Sequence, residues 1–107
     1  MNVTVTGQQV EITPAIRNYV VEKMERVKRH FEPKIDVNVV VKVEKLMQHV
    51  EANLRVPGHD LFAKASNTDL YAAIDELVHT LDRQVIRIKE KQNDQRNGNP
   101  IKHLSTD

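Results

Sequence analysis

Alternating apolar and polar positions along the chain predict four β-strands. The alternation over 2–6 predicts a short, half-buried first strand that ends at Gly7. A longer alternation over 35–44, rich in β-branched residues, predicts a strong second strand. Similar patterns over 50–56 and 61–66 predict a third and a fourth strand, and the Pro-Gly pair at 57–58 between them is a turn signal.

Two other segments repeat apolar residues every three or four positions, which is typical of amphipathic helices. The first follows Thr13, a good capping residue, and begins with Pro14, which suits the first helical position. The second follows Thr68 or Asp69 as its cap and keeps its period as far as Lys91.

The resulting order, β-α-β-β-β-α, predicts an α+β two-layer sandwich: a four-stranded sheet with two roughly parallel helices on one face and its other face in water. The first helix should join two parallel strands by a right-handed crossover. After residue 91 the chain is polar and without period. We therefore expect one domain over 1–91 and a flexible polar tail over 92–107.

Composition narrows the class of protein further. The 107 residues suffice for one domain, and the absence of cysteine excludes a disulfide framework, a thiolate metal site and a cysteine nucleophile. No stretch approaches the ~20 apolar residues of a membrane span, and the first residues lack the pattern of a secretory signal. We expect a cytoplasmic protein that does not enter a membrane.

The net charge of +1 conceals an uneven distribution. Segment 14–34 has six basic and three acidic residues, and segment 83–91 has four basic residues and one acidic residue. Segment 69–82 between them has four acidic residues and no basic one. If the two helices run in the same direction, their basic C-terminal ends reach the same edge of the domain, which predicts one concentrated basic patch.

The second helix carries the clearer signal. Arg83, Arg87 and Lys91 recur every four residues on the face away from the core. Like charges at this spacing cost roughly 0.2–0.5 kcal/mol per pair, so a purely structural surface would tend to avoid them. Phosphate binding is the preferred interpretation because the guanidinium fork suits bidentate contacts with phosphate. The acidic first half and basic second half of this helix also suit its dipole, which offers part of a structural explanation.

The first helix is less decisive. Its candidate phosphate-binding cations are Lys23, Arg26, Lys28 and Arg29. Lys23, Arg26 and Arg29 share one flank, whereas Lys28 lies on the opposite side. The alternative, preferred for this helix alone, is a solvated face with helix-internal ion pairs, Glu22–Arg26 and Glu25–Arg29.

Other polar residues favour structural roles. Charges on the wet face of the sheet are interpreted as cross-strand pairs: Lys42, Glu44, Glu51, Arg55 and Lys64. Asp75 and His79 have the spacing of a metal-binding pair but are more typical of a helix surface. Tyr19 and Tyr71 are expected to pack rather than to stack on bases.

Catalysis has little support in the sequence. Ser66 and Ser105 do not lie in a nucleophile elbow, His49 and His59 have no obvious partners, and no metalloprotease or glycine-rich phosphate motif is present. We therefore expect a protein that is not an enzyme and that has no metal and no cofactor.

Four stretches resemble the family of ribosome hibernation-promoting factors and ribosome-associated inhibitors, in its short bacterial form. They are 10–17 (Val-Glu-Ile-Thr-Pro-Ala-Ile-Arg), 41–45 (Val-Lys-Val-Glu-Lys), 69–75 (Asp-Leu-Tyr-Ala-Ala-Ile-Asp) and 81–84 (Leu-Asp-Arg-Gln). Their order and spacing make the resemblance specific, and it covers 1–91.

This resemblance implies a fold similar to double-stranded RNA-binding domains and a role without covalent chemistry. Family members bind the small ribosomal subunit in the channel for tRNA and mRNA, and they silence idle ribosomes in stress or stationary phase. Carried over, the surface that binds ribosomal RNA comprises Lys23, Arg26, Lys28, Arg29, Arg83, Arg87 and Lys91. Off the ribosome we expect a monomer.

Three roles stay open at this stage. A hibernation factor acts with a ribosome modulation factor to form inactive ribosome dimers, and the charge-balanced tail and the 41–45 segment favour this role. The inhibitor paralogue has a longer tail and leaves ribosomes as inactive monomers. We do not expect the separate dimerisation domain of the long form. The third role is a non-ribosomal module whose basic helix ends bind an acidic partner.

Overall fold

The computed structural model of the protein describes residues 2–28, 35–56 and 58–97, except for the side chains of 28 and 92–97. Its elements are β1 (Asn2–Gln8), α1 (Pro14–Lys28), β2 (Asp36–Glu44), β3 (Met47–Val56), β4 (His59–Asn67) and α2 (Leu70–Asn97). The predicted element order and the α+β class are confirmed.

The four strands form one mixed sheet in the order β1-β2-β3-β4. β1 runs parallel to β2, with Asn2 opposite Asp36, which confirms the predicted parallel pair joined through α1. β2, β3 and β4 form an antiparallel meander. Its connections are short because Lys45 (φ 58°) and Gly58 (φ 82°) take the left-handed conformation that tight hairpins require.

β1 is longer than the sequence pattern predicts. It passes through Gly7 and ends at Gln8, because the chain beyond it turns back closely over Gly7. A Cβ atom at this position would collide with the carbonyl oxygen of Val10 and lie 3.2 Å from the Ile12 side chain. Gly7 therefore permits a close backbone approach and does not end the strand.

Side-chain caps fix where both helices begin. Thr13 Oγ1 accepts a hydrogen bond from the Ile16 amide (3.2 Å), as predicted for the cap of α1. Asp69 Oδ1 accepts one from the Tyr71 amide (3.0 Å), which identifies Asp69 rather than Thr68 as the cap of α2. Each cap satisfies an amide that has no partner within its helix.

The core lies between one sheet face and the two helices. α2 packs on β3 and β4, and α1 packs against α2 and β1. Within the described residues, only hydrophobic side chains are buried, and they form one cluster that draws on both helices and on β2, β3 and β4. No described helix is long and apolar enough to cross a membrane.

Contacts between the helices confirm that they run in the same direction. Tyr19 of α1 packs on Tyr71 of α2. One turn further along each helix, Lys23 of α1 lies beside Asp75 of α2. By this alignment the last described residue of α1, Lys28, is level with about residue 80 of α2.

α2 continues well past that level. It ends at Asn97 rather than near 91, so residues 92–97 are helical where the sequence pattern predicts an irregular tail. Once a helix has formed, each further residue adds one hydrogen bond, and polar residues such as glutamine and arginine extend it readily. Residues 98–107 of the predicted tail lie outside the described residues.

Replacing Gly7 with alanine should destabilise the fold, because the added Cβ forces the Val10 carbonyl to move. We expect the free energy of unfolding in urea to fall by about 1–3 kcal/mol. Gln8→Ala, at an exposed position next along the strand, is the control and should change it by less than ~0.5 kcal/mol. Equal stability of the two variants would contradict the close approach at Gly7.

Candidate nucleic-acid interface

The cationic row of α2 lies on the surface, as predicted. Arg83, Arg87 and Lys91 are all exposed. At about 100° per residue, the row is turned by about 80° to 160° from Asp75, which marks the side of α2 that faces α1. The opposite side of α2 faces β4, where Gln84 Nε2 donates a hydrogen bond to the carbonyl oxygen of Phe62 (3.3 Å). The row therefore follows the outer flank of α2, above the β4 edge of the sheet.

These cations have no carboxylate partner within the part of the chain that the structure describes. The ion pairs there involve other cations, and the row and Arg26 of α1 are outside all of them. The predicted pair Glu22–Arg26 does not form, although both side chains are exposed. For such exposed pairs the entropy of two long side chains can outweigh their attraction. Arg26 thus stays available for an external anion.

The basic residues are spread along the helices rather than gathered at one edge. Arg26 lies near the described end of α1, whereas α2 projects beyond this end. A rise of 1.5 Å per residue places Arg87 about 10 Å and Lys91 about 17 Å past the level of Lys28. The side chain of Lys28 and all of Arg29 lie outside the described residues.

Lys23 has a different environment from the other predicted site residues. Its Nζ lies 3.9 Å from Asp75 Oδ1 and 5.3 Å from the ring centre of Tyr19. Tyr19 donates its phenolic hydrogen bond to the same oxygen of Asp75 (2.6 Å). The Tyr19 and Tyr71 rings meet edge to face, 4.8 Å apart, which confirms that they pack. We call Tyr19, Lys23, Tyr71 and Asp75 the interhelical cluster.

The interhelical cluster perturbs the titration of Tyr19. Its hydrogen bond to Asp75 raises the phenol pKa to about 12, with further contributions from partial burial and from the charge of Asp75. The same contacts engage Asp75 with α1, so Asp75 has a structural role, in line with the preferred interpretation of Asp75 and His79 as helix-surface residues. Among the described residues no group of three His, Asp or Glu side chains is placed to hold a metal ion.

The open face of the sheet brings together a trio that sequence reasoning missed. His49 Nδ1 shares a hydrogen bond with Ser66 Oγ (2.6 Å), and its Nε2 lies 3.6 Å from Glu44 Oε1. Strand register is the signal that could have revealed it, since His49 faces Ser66 directly across β3 and β4. Backbone amides here point along the sheet and not toward the side chains, so the trio lacks the preorganised amides of an oxyanion hole.

One predicted cation of the open face has an acidic partner that the sequence pattern did not indicate. Arg55 Nε donates to Asp60 Oδ1 (3.2 Å) directly across the hairpin. Glu51 and Lys64, opposite charges on adjacent strands, face each other in register but form no ion pair. This face is therefore a mixture of both charges, unlike the outer flank of α2.

A mixed four-stranded sheet beneath two parallel helices, with the exposed cations Arg83, Arg87 and Lys91 along the second helix, defines a class of small α+β domains with a basic surface. The family model described as "Sigma 54 modulation protein / S30EA ribosomal protein" matches residues 3–93. The chain belongs to this family, and the resemblance identified in the sequence is confirmed.

The curated relatives share one protein name. A protein named "Ribosome hibernation promoting factor" from Pseudomonas putida is 51% identical over 92 residues, covering 86% of this chain and 90% of the relative. Proteins of the same name from Azotobacter vinelandii (47% over 98 residues, 92% of each chain) and Escherichia coli (41% over 91 residues, 85% of this chain and 96% of the relative) are also similar.

Solved structures agree with the fold. The N-terminal domain of Protein Y from Thermus thermophilus is 35% identical, with a TM-score of 0.79, covering 82% of this chain and 99% of that one. A ribosomal subunit interface protein from Coxiella burnetii is 32% identical, with a TM-score of 0.75, covering 84% and 99%.

Titration of Tyr19 tests the interhelical cluster. In a Tyr71→Phe background, which leaves one tyrosine, the ultraviolet absorbance of tyrosinate should report a pKa of about 12. The folded state binds this proton more tightly than the unfolded chain, so the resulting stabilisation is complete below pH 10 and is lost as pH rises through about 12.

Asp75→Asn in the same background removes the largest cause of this shift. The Tyr19 pKa should then fall toward its ordinary value of 10.0. An unchanged pKa would mean that Tyr19 does not donate to Asp75 in solution.

Proposed function

We propose that this protein binds ribosomes and holds idle ones inactive, as a ribosome hibernation factor in the bacterial cytoplasm during stress or stationary phase. Support comes from the family match over 3–93 and from relatives with that name at 41–51% identity. Because these relatives align over most of both chains, the likeness applies to the whole domain.

The proposed binding surface lies on the later parts of the two helices, and its described cations have no acidic partner among the described residues. We name it the phosphate surface: Arg26, Arg83, Arg87 and Lys91, joined by Lys28 and Arg29 on the basis of the sequence. The observation that supports it best is the unpaired row on α2, where like charges repel one another. An RNA backbone would relieve this repulsion.

The proposed target is ribosomal RNA of the small subunit, in the channel where tRNA and mRNA lie. Contacts with phosphates recognise shape and position rather than base sequence. This matches a surface of arginine and lysine in which the tyrosines pack on each other and not as a platform for bases. Inhibition would be steric, since a domain anchored in this channel excludes the ligands of an active ribosome.

Neutralising the α2 row should weaken ribosome binding in a characteristic way. Each lost phosphate contact should lower affinity roughly tenfold. It should also reduce the slope of log affinity against log salt by about 0.7–0.9. Arg83→Gln with Arg87→Gln should therefore reduce the slope by the amount expected for about two lost phosphate contacts. The slope is measured by co-sedimentation with small subunits across a salt series.

The matched control is Lys42→Gln with Lys64→Gln on the open face of the sheet. It changes net charge equally but leaves the phosphate surface intact, so its slope should stay close to that of the unaltered protein. If both double variants weaken binding equally, the contact is set by net charge alone and the assigned surface is wrong.

Sedimentation of purified ribosomes distinguishes the hibernation role from its alternatives. We expect the protein to migrate with small subunits and monosomes, and a dimer peak to appear when a ribosome modulation factor is added. Monosome binding that blocks the dimer peak would instead indicate the inhibitor role. Absence from every ribosomal fraction would favour an acidic non-ribosomal partner.

A further inference from the structure

Lys23 is the one predicted RNA-binding cation that the described structure pairs with a carboxylate. Its ammonium lies between Asp75 and the ring of Tyr19, in the groove between the helices. The Lys23 and Asp75 side chains are 41% and 52% exposed, so both reach solvent. An RNA phosphate that approached this point of the groove would meet a pair with no net charge.

Asp75 is held more firmly than an ordinary surface carboxylate. Its Oδ1 accepts the short hydrogen bond from Tyr19 (2.6 Å) as well as facing Lys23 (3.9 Å). Tyr19 in turn packs edge to face on Tyr71 of α2. An isolated exposed ion pair is weak because both side chains must be ordered, but here the aromatic contacts have already ordered the carboxylate.

The charge around this pair differs from that of the phosphate surface. Asp69 caps α2, Asp75 and Glu76 lie in its first turns and Glu22 lies on α1, whereas the cations of the phosphate surface follow later on both helices. Since each phosphate contact requires a cation that is free to replace a salt counterion, a lysine already neutralised by a neighbouring carboxylate contributes little.

We propose that Asp75 is a specificity-determining residue that withholds Lys23 from RNA phosphate and so ends the phosphate surface at the interhelical cluster. This inference rests on the proposed ribosome binding. It identifies Asp75 as an internal competitor that occupies the position a phosphate would take, and it restricts contact with RNA to the later parts of the two helices.

The test compares Asp75→Asn with Glu76→Gln. Both remove one negative charge from neighbouring exposed positions, so any general electrostatic gain is equal. Glu76 has no ion pair within the described residues and is turned about 100° away from Asp75. Only Asp75→Asn releases Lys23.

We expect Asp75→Asn to bind small ribosomal subunits about two- to fivefold more tightly at low salt than Glu76→Gln does, the factor that corresponds to freeing an exposed ion pair. Its slope of log affinity against log salt should be steeper by about 0.7–0.9, which is one additional phosphate contact. Adding Lys23→Gln to Asp75→Asn should abolish both gains, whereas Lys23→Gln alone should leave the slope of the unaltered protein unchanged.

Three results would overturn the inference. The first is equal slopes of log affinity against log salt for Asp75→Asn and Glu76→Gln. Both variants must fold normally, and a lowered Tyr19 pKa in Asp75→Asn must show that the interhelical cluster has opened. The second is loss of a full contact in Lys23→Gln alone, which would make Lys23 a phosphate contact. The third is failure of Arg83→Gln with Arg87→Gln to alter ribosome binding, which would refute the phosphate surface and this inference with it. Absence of the unaltered protein from every ribosomal fraction would instead refute the proposed function itself.

Discussion

The packing of two parallel helices on a single face of one sheet is the constraint on which the remaining structure depends. Because the apolar stripes of α1 and α2 are buried in the shared core, each helix can expose charged side chains only on its outer half. The caps at Thr13 and Asp69 fix where the helices begin. Together with the parallel direction, they determine which turn of α1 lies beside which turn of α2, and hence where charges of the two helices can meet.

That alignment divides the helix layer into two electrostatic regions. Where the third turn of α1 lies beside the second turn of α2, Lys23 and Asp75 neutralise each other, and Tyr19 donates a hydrogen bond to Asp75. Further along, α2 continues past the described part of α1, and Arg83 and Arg87 have no acidic partner among the described residues. A chain with a net charge of only +1 can therefore present a strongly basic flank, because position in the fold decides which charges cancel.

Sequence reasoning succeeds where one physical signal dominates. Residue period and turn chemistry were enough for the element order, the parallel β1–β2 pair and the exposure of Arg83 and Arg87. It fails where the outcome depends on contacts between distant segments. Gly7 looks like a strand end until the returning chain at Val10 is known, and His49 has no visible partner until strand register brings Ser66 opposite. The continuation of α2 to Asn97 was hidden because polar residues carry no apolar period.

The same reasoning explains why helical spacing alone misjudged the cations of α1. Glu22 and Arg26 have the spacing of an ion pair, yet both remain solvated without one, while Lys23 finds its partner on the other helix. A local pair between exposed, flexible side chains gains little over water. A pair across a groove gains when packing has already fixed one partner, as the Tyr19 hydrogen bond fixes Asp75. Which basic residues remain available to bind an anion is therefore a property of tertiary packing, and a count of charges along one helix cannot supply it.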